Sequence, residues 1–397
     1  MGLHDYTFYD LICRNAVSFN NLSAWFEVDD QRTLTFAGYK QKVDQLACGL
    51  QKAGIGKGDR IGVIGKNSLE YFSLYGAAAA LGAIVLPINW RLSAEETVFN
   101  LTDCEPLLLF VDSEYQEMIT NAKGQLPFVK ECYNLKPPGG DFCDFDALLD
   151  NDGKFAAPEV AGQDGLVIIH TAAVAGRPRG ALLSHENLIS ANIHINLLLN
   201  LSNSDVHLNI LPLFHVGGLF MATAGFHAGA VNLNMSKFDA LQAVDLIAAK
   251  KVTFMFDFAP ILSSILEEHE KSGKDIKTLQ HVPGLEAPAV IEKYQEMTGG
   301  TFYCMYGQTE TSAIATMASY SETPGSAGRT IQLADVRLVD DHDQPVAADE
   351  TGEIAVTRGC AITLVASSRP PSPVSSNKMS AGSRAKPRKA AAVVISK

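Results

Sequence analysis

The sequence predicts an α/β fold in which helices cover mostly parallel β-sheets. Short apolar runs alternate with stretches whose apolar residues recur at helical spacing, first between residues 32 and 111 and again between residues 240 and 305. A strand, a helix and a second strand in succession form a parallel pair covered by the helix. A chain of 397 residues exceeds one simple core, so two or three subdomains are expected.

The first third of the chain contains the clearest of these units. In residues 37–53, Tyr39, Val43, Leu46 and Leu50 fall on one helical face. The predicted elements are, in order, a strand at 32–36, the helix at 37–53, a turn at 54–59, a strand at 60–64, a helix at 68–81, a strand at 83–88, a capping box at 93–96 and a strand at 106–111. No functional site is predicted before residue 160.

Residues 166–187 combine a short apolar strand, a loop of small residues and the start of a helix. The loop contains Gly176, Pro178 and Gly180, and Ser184 is predicted to cap the helix. Such an arrangement binds phosphate through backbone N–H groups. The Gly-Lys-Ser/Thr pattern of a P-loop is absent, however. The residues alone therefore leave an ordinary strand-to-helix connection as the alternative.

Two later segments place polar groups directly after a strand, where open α/β sheets bind ligands. In residues 209–218, His215 and a glycine pair follow an apolar run; a histidine with satisfied hydrogen bonds at a strand end is the alternative. In residues 306–310, Thr309 offers a hydroxyl and Glu310 a hard oxygen ligand for Mg²⁺. The alternative for this second segment is a polar turn.

The remaining elements continue the same alternation and then change character. The predicted elements are a helix at 240–250, a strand at 252–256, a helix at 260–270, a strand from residue 279 into the loop 284–288, a helix at 289–298 and a strand at 301–305. Residues 328–356 instead show short alternating strands at 336–339 and 353–356 with Asp and Gly turns. This pattern favours a small antiparallel or barrel-like subdomain.

Composition excludes several classes of function. A net charge of −12 disfavours a nucleic-acid or anionic-membrane partner. The seven cysteines show no C-x-x-C pair, which is typical of reduced thiols in a cytoplasmic protein. The N-terminal residues lack a signal-peptide pattern, and the longest apolar run, residues 75–88, is too short to span a bilayer. We expect a cytoplasmic protein without a transmembrane segment.

The composition changes abruptly after residue 360. Residues 361–397 contain seven basic residues, eight serines and four prolines, and no acidic residue. This composition predicts a disordered tail, with a basic interaction segment as the alternative.

Several of these segments, in this order, resemble the AMP-forming acyl-CoA synthetases, also called adenylate-forming enzymes. Residues 170–180, H-T-A-A-V-A-G-R-P-R-G, resemble the phosphate-binding loop of that family, and residues 211–218, L-P-L-F-H-V-G-G, a segment beside its acyl pocket. The remaining matches are G-L-E-A-P at 284–288, Y-G-Q-T-E at 306–310, G-E-I-A-V at 352–356 and L-G-A-I-V-L-P-I-N at 81–89. One such motif is weak evidence, whereas several in the correct order are strong.

The resemblance implies two doubly wound sheets in residues 1–360, divided near 165 and 325, with the small barrel-like part last. It also implies that ATP activates a carboxylic acid to an acyl-adenylate, which CoA then converts to a thioester. Thr309, Glu310 and His215 would be catalytic, with Glu310 holding Mg²⁺. By position, the nucleotide would contact Thr171, Gly176, Arg177, Arg179, Gly180, Gly284, Glu286, Ala287, Pro288, Tyr306, Gly307, Gln308 and Thr309. The acid would contact Phe214, His215, Phe256 and Phe258, which favour an apolar or cyclic substrate.

Two departures from the family pattern stand out. The loop has Ala172, Ala173, Val174 and Ala175 where the family has Ser, Gly, Thr and Thr, so three hydroxyl donors are missing. Each neutral hydrogen bond contributes about 0.5–1.5 kcal/mol. Arg179 replaces the family's Lys and keeps its charge. The small C-terminal domain that carries the family's catalytic Lys is not recognisable after Leu364, and a truncated or frame-shifted gene product is our expectation there.

Two functions of different classes therefore remain. The first is an acyl-CoA ligase, impaired by that missing domain, whose partners are a small carboxylic acid, ATP and CoA. The second is a non-catalytic remnant that binds nucleotide or acid, or that interacts through its basic tail. The sequence leaves open which acid is used, whether a carrier protein replaces CoA, and whether the chain forms a homodimer.

Overall fold

The computed structural model describes residues 5–136, 139–171, 178–347 and 350–357. The helices are α1 Phe8–Ser18, α2 Phe36–Lys52, α3 Leu69–Leu81, α4 Ala94–Cys104, α5 Gln116–Ala122, α6 His185–Leu199, α7 Val216–Ala228, α8 Ala240–Lys250, α9 Ile261–Ser272 and α10 Pro288–Thr298. The strands of the first half are β1 Ser23–Glu27, β2 Thr33–Thr35, β3 Arg60–Ile64, β4 Ile84–Ile88, β5 Leu108–Val111, β6 Glu131–Asn134, β7 Gly165–Thr171 and β8 Arg179–Ser184. Those of the second half are β9 Val206–Asn209, β10 Val231–Asn234, β11 Phe254–Met255, β12 Asp257–Phe258, β13 His281–Leu285, β14 Thr301–Tyr306, β15 Thr316–Ser319, β16 Arg329–Thr330, β17 Asp335–Val339 and β18 Glu353–Thr357.

Two mostly parallel sheets form the framework, as the alternation of strands and helices predicts. The smaller sheet has the order β6-β5-β3-β4-β7-β8, and all of its pairs are parallel except β7–β8. The larger sheet has the order β16-β15-β14-β13-β11-β9-β10-β1-β2, with β12 beside β13. Its central pairs are parallel, and its two ends are antiparallel.

The boundary predicted near residue 165 does not separate these sheets. β7 and β8 follow that position but complete the smaller sheet, whereas β1 and β2 precede it and belong to the larger one. Each sheet is therefore completed by a segment from the other part of the chain. Sequence periodicity identifies strands but does not say which sheet they join.

The molecule has five layers. α4 and α5 cover the outer face of the smaller sheet, and α8, α9 and α10 cover the outer face of the larger one. The main core lies between the sheets and includes α3 and α7. Every residue of α3 is buried, as is nearly all of α7. A helix that is apolar on all sides requires such a central position.

Local signals at the helix ends agree with the structure. Ser93 and Ser184 cap α4 and α6, each in a capping box with the third helical residue.

At the end of the described chain, β17 and β18 form an antiparallel pair. The predicted barrel-like enclosure is not confirmed, because this pair forms a two-stranded sheet of its own in the part of the chain that the structure describes. No helix among the described residues has the length and hydropathy to cross a bilayer. The predicted tail at 361–397 lies outside the described residues.

Candidate active site

The segment that resembles a phosphate-binding loop is built differently from its prediction. We expected a strand that leads through a loop directly into a helix. Instead, β7 and β8 form an antiparallel hairpin, in which Thr171 pairs with Arg179 beside the connecting loop. Ser184 and the N-terminus of α6 lie at the opposite end of the hairpin, next to Gly165. The start of α6 therefore does not lie at the Thr171–Arg179 end of the hairpin, and the predicted direct passage from strand through loop into helix is wrong.

The hairpin nevertheless presents several of the expected nucleotide-binding residues together. The Thr171 hydroxyl donates to the carbonyl of Arg179 at 3.5 Å, and the Arg179 side chain is exposed. Gly180 pairs with His170, and a β-carbon at Gly180 would lie 2.8 Å from Cγ2 of Ile168. Gly180 thus permits close packing of the two strands. Gly176 and Arg177 lie outside the described residues.

The Y-G-Q-T-E segment forms a tight turn at the carboxyl end of β14. Residues Thr309–Thr311 make one 3-10 turn, in which the Thr311 hydroxyl accepts from the Gln308 N–H at 3.0 Å. Thr309 is buried and Glu310 is half-buried. Burial and the nearby Glu310 carboxylate raise the pKa of the Tyr306 hydroxyl.

The backbone around this turn is under strain. A β-carbon at Gly307 would collide with the carbonyl group of Ala313, so only glycine fits there. Ser312 and Ala313 adopt φ values of 57° and 82°, a region that costs non-glycine residues on the order of 1–3 kcal/mol. Backbone strain of this kind is concentrated at functional sites.

The hairpin and the turn are neighbours in space. The backbone of β8, which begins at Arg179, contacts the turn Thr309–Thr311. β8 belongs to the smaller sheet, whereas the turn follows β14 of the larger sheet, about 130 residues further along the chain. The fold therefore brings the two motifs together from two different sheets.

The segment G-L-E-A-P lies next to the turn. Gly284 pairs with Asp257 on one side and with Cys304 on the other, and a β-carbon there would collide with the Asp257 carbonyl. Continued by two residues, the parallel pairing of β13 with β14 places Glu286 beside Tyr306, at the carboxyl ends of these two strands. Glu286 accepts from the Ala287 N–H at 2.7 Å, and Pro288 begins α10.

A buried carboxyl group lies beneath this segment. Asp257 is fully buried, and its Oδ1 accepts from the Leu262 N–H in the first turn of α9 at 2.9 Å. Its Oδ2 has no hydrogen-bond partner among the described residues. Burial, with a contribution from Glu286, raises the pKa of Asp257 to about 7.

His215 is the N-cap residue of α7. Its Nδ1 accepts from the Gly217 N–H at 3.1 Å, and its ring meets Phe258 edge-on at 6.2 Å. The side chain is exposed, yet the surrounding protein desolvates it and lowers its pKa. A side chain that is exposed to solvent and also partly desolvated by the protein lies in a crevice. The glycine pair after His215 serves packing in part, since a β-carbon at Gly218 would collide with the Pro212 carbonyl.

A narrow apolar cavity of about 10 Å³ lies beneath this crevice. Phe256, one of the predicted pocket residues, lines it and packs against Phe258 at 5.4 Å. The other lining residues are Ile195, Gly217, Phe220, Met221, Pro283, Met305, Ala313, Ile314 and Met317. Phe214 instead packs against Trp90 at 6.4 Å and beneath the guanidinium of Arg91.

Apart from Phe256, the cavity residues are the part of the site that sequence reasoning missed. They come from α6, α7, β13, β14, β15 and the loop that contains Ala313 and Ile314, and each reads as an ordinary core residue in its own segment. Some of them could have been found only from their position beside the Y-G-Q-T-E motif. Met305 precedes this motif directly, and Ala313 follows it by three residues.

The model of the AMP-binding enzyme family matches residues 14–364. The chain belongs to this AMP-binding enzyme family.

The curated relatives of this chain include CoA ligases. An indoleacetate–CoA ligase from Aromatoleum aromaticum (strain EbN1) is 32% identical over 334 residues, which cover 82% of this chain and 65% of the relative. The chain thus spans about 65% of the length of such curated relatives.

Solved structures share the fold of this chain. A protein from Rhodopseudomonas palustris CGA009, named for a long-chain-fatty-acid CoA ligase, is 37% identical, with a TM-score of 0.86 and coverage of 92% of this chain and 93% of that chain. The N-terminal domain of FACL13 from Mycobacterium tuberculosis is 24% identical, with a TM-score of 0.83 and coverage of 90% of both chains. The predicted fold class is thereby confirmed.

Proposed function

We propose that the protein activates a carboxylic acid with ATP, forming an acyl-adenylate and pyrophosphate, and that the acyl group then passes to CoA as a thioester. Membership of the AMP-binding family and the CoA ligases among the relatives support this proposal. The single observation that carries it is the contact between β8 and the turn Thr309–Thr311, because one nucleotide can then touch both motifs.

In the adenylation step, a carboxylate oxygen of the acid attacks the α-phosphorus of ATP, and the bond to the β-phosphate bridging oxygen breaks. Negative charge accumulates around the phosphorus, so fixed donors and cations stabilise the transition state. We assign the Thr309 hydroxyl to the α-phosphate and Arg179, with Thr171, Gly176, Arg177 and Gly180, to the β- and γ-phosphates. The adenine lies between Tyr306 and the segment Gly284–Pro288, flanked by Gly307 and Gln308.

The residues at the turn fit a magnesium ion. Glu310 supplies a carboxylate on a turn whose other polar groups are hydroxyl and amide oxygens, which is the donor set that Mg²⁺ prefers. Glu310 would hold the ion, and a bound Mg²⁺ would neutralise charge on the phosphate oxygens.

The acid occupies the crevice at His215 and its apolar part reaches toward the cavity. The cavity is lined wholly by apolar residues, among them Phe256, against which Phe258 packs. A charged tail would lose its hydration there without a partner. We therefore propose an aromatic or medium-chain aliphatic acid as substrate, with His215 placed beside its carboxylate.

The loop composition favours a second candidate. Ala172, Ala173, Val174 and Ala175 lack the three hydroxyls of the family pattern. A protein with such a loop can bind acid or nucleotide without turnover.

Calorimetry with ATP and Mg²⁺, followed by pyrophosphate release with a panel of aromatic, alicyclic and medium-chain acids, tests the proposal. Saturable ATP binding with release that depends on one class of acid supports an acyl-CoA ligase. Binding without release for any acid supports the second candidate, and the absence of both contradicts the proposed nucleotide site.

A further inference from the structure

A cluster of three metal-ligating side chains lies outside the proposed active site, where α4 packs against the β7–β8 hairpin. Asp103 and Cys104 are the last two residues of α4, and His170 lies near the end of β7. One ligand atom of each, a carboxylate oxygen, a thiol sulfur and a ring nitrogen, lies within 4.8 Å of the others. No role in nucleotide or acid binding falls to these side chains.

The distances within the cluster suit a small tetrahedral ion. Oδ2 of Asp103 lies 3.1 Å from Nε2 of His170 and 4.0 Å from Sγ of Cys104. Zinc bonds of about 2.0–2.3 Å place tetrahedral ligand atoms roughly 3.3–3.6 Å apart. Small rotations of the Asp103 and Cys104 side chains therefore bring all three atoms to bonding distance.

Burial and local charge favour a cation here. The His170 side chain is 5% exposed, and its Nε2 lies 3.1 Å from the Asp103 carboxylate. Cys104 is 2% exposed, whereas the Asp103 side chain is 25% exposed and gives access from solvent. The Asp103 carboxylate supplies negative charge to the cluster.

The ligands are also held in place. Arg60 donates to the carbonyls of Cys104 and Glu105 at 2.7 and 3.1 Å, which fixes the end of α4. His170 is fixed by the hairpin, where it pairs with Gly180. Two ligands on a rigid helix end and one on a strand form a site that needs little rearrangement.

We propose that Asp103, Cys104 and His170 bind a borderline-soft divalent ion of the zinc class, with water as the fourth ligand on the open Asp103 side. A sulfur and an imidazole ligand select zinc or cobalt over Mg²⁺ and Ca²⁺. The ion joins α4 to the hairpin that precedes the phosphate loop. It is separate from the magnesium assigned to Glu310.

A cobalt titration of the full chain tests this site, because thiolate-bound Co²⁺ gives a near-ultraviolet charge-transfer band. We expect the band to saturate at one ion per chain, to disappear on addition of Zn²⁺ and to survive excess Mg²⁺. Cys104→Ser removes the band. His170→Gln and Asp103→Asn weaken cobalt binding by at least about 10–100-fold, the loss that removal of an outer-shell partner already causes, since each replaces a ligand by a weaker amide group.

Other cysteines supply the controls. Cys48→Ser changes a buried thiol in α2, and the double variant Cys132→Ser/Cys143→Ser removes two neighbouring thiols at β6. Both should keep the band. Zn²⁺ should raise the melting temperature of the wild type and of these controls, but not that of Cys104→Ser.

A wild type without the band, or a band that persists in Cys104→Ser, overturns the site. If Cys104→Ser does not fold, His170→Gln decides, because unchanged cobalt affinity in that variant also overturns it. None of these readouts depends on ligase activity.

Discussion

Gly307 packs against the main chain of Ala313 without room for a side chain between them. The contact closes the loop that carries Thr309 and Glu310, and Ala313 is held there at a φ of 82°. The position of the candidate catalytic turn therefore depends on the absence of one methyl group.

Gly307→Ala should displace this turn. The added methyl meets backbone atoms, which cannot rotate away, so we expect a loss of about 1–3 kcal/mol in the free energy of unfolding. Adenylation should fall about 100-fold, because a shift near 1 Å at a reacting group costs that much. Pyrophosphate release and urea denaturation measure the two effects. Gly124→Ala, where a β-carbon meets nothing within 4 Å, is the control and should behave as wild type. Normal activity in Gly307→Ala would contradict the assignment of the turn.

Glu310→Gln should impair activation of the acid. The amide keeps the size of the side chain but loses the charge that attracts Mg²⁺, so we expect a rate about 10²–10³-fold lower and a higher Mg²⁺ requirement. Pyrophosphate release measured against Mg²⁺ concentration reports both. Glu95→Gln, an exposed carboxylate in the first turn of α4, is the matched control. An unchanged Mg²⁺ dependence in Glu310→Gln would exclude Glu310 as the ligand.

Met317→Ala should widen the apolar cavity and change the preference among acids. The lost side chain leaves space for a bulkier substrate, and one or two methylenes shift kcat/KM ratios by about 10–200-fold. Met255→Ala removes a side chain that is equally buried but faces the core on the other side of the larger sheet. Both variants should lose about 2–5 kcal/mol of stability. Only Met317→Ala should alter the ratio of kcat/KM for bulky and small acids, and equal changes in both variants would exclude the cavity as the acid pocket.

Asp257 should make stability depend on pH. Its pKa is about 7 in the folded protein and 3.8 ordinarily, so the folded state holds an extra proton between these values. The free energy of unfolding then falls as pH rises through this window, by roughly 4 kcal/mol for this carboxyl.

Asp257→Asn should remove this component while its side-chain oxygen still accepts from Leu262. The variant should be more stable than wild type at pH 8 and equal to it near pH 4, as measured by urea denaturation across the range. Asp150→Asn, at an exposed position, should follow the wild-type profile. Parallel profiles for wild type and Asp257→Asn would show that Asp257 is already ionised in the fold.

Signals contained in a few neighbouring residues were sufficient to predict much of this molecule. The capping box at Ser93, the helix cap at Ser184 and the strand at 60–64 depend on local chemistry, and the structure contains them. The sequence does not predict the β7–β8 hairpin, because the loop of small residues runs into its second strand, Arg179–Ser184, without a break in the pattern. The pairing of β1 with β10 and the approach of His170 to Asp103 join residues far apart in sequence. Contacts of this kind depend on how the whole chain packs. A short sequence pattern does not contain that information.

The residues of the candidate site can nevertheless be proposed from the sequence, because their segments resemble family motifs. Thr171 and Gly284 lie near the carboxyl ends of β7 and β13, and Thr309 follows β14. Their spacing in the chain does not say that they meet. Their order resembled a known family, and the fold places the hairpin beside the turn. The cavity residues had no comparable motif.

The central claim is that the β7–β8 hairpin and the Thr309–Glu310 turn bind one nucleotide. Hydrogen exchange of backbone amides, measured by mass spectrometry with and without ATP and Mg²⁺, tests it directly. We expect ATP to slow exchange in peptides covering 166–184 and in peptides covering 301–316 with the same concentration dependence. Protection of only one segment, or midpoints that differ, would contradict a shared nucleotide site.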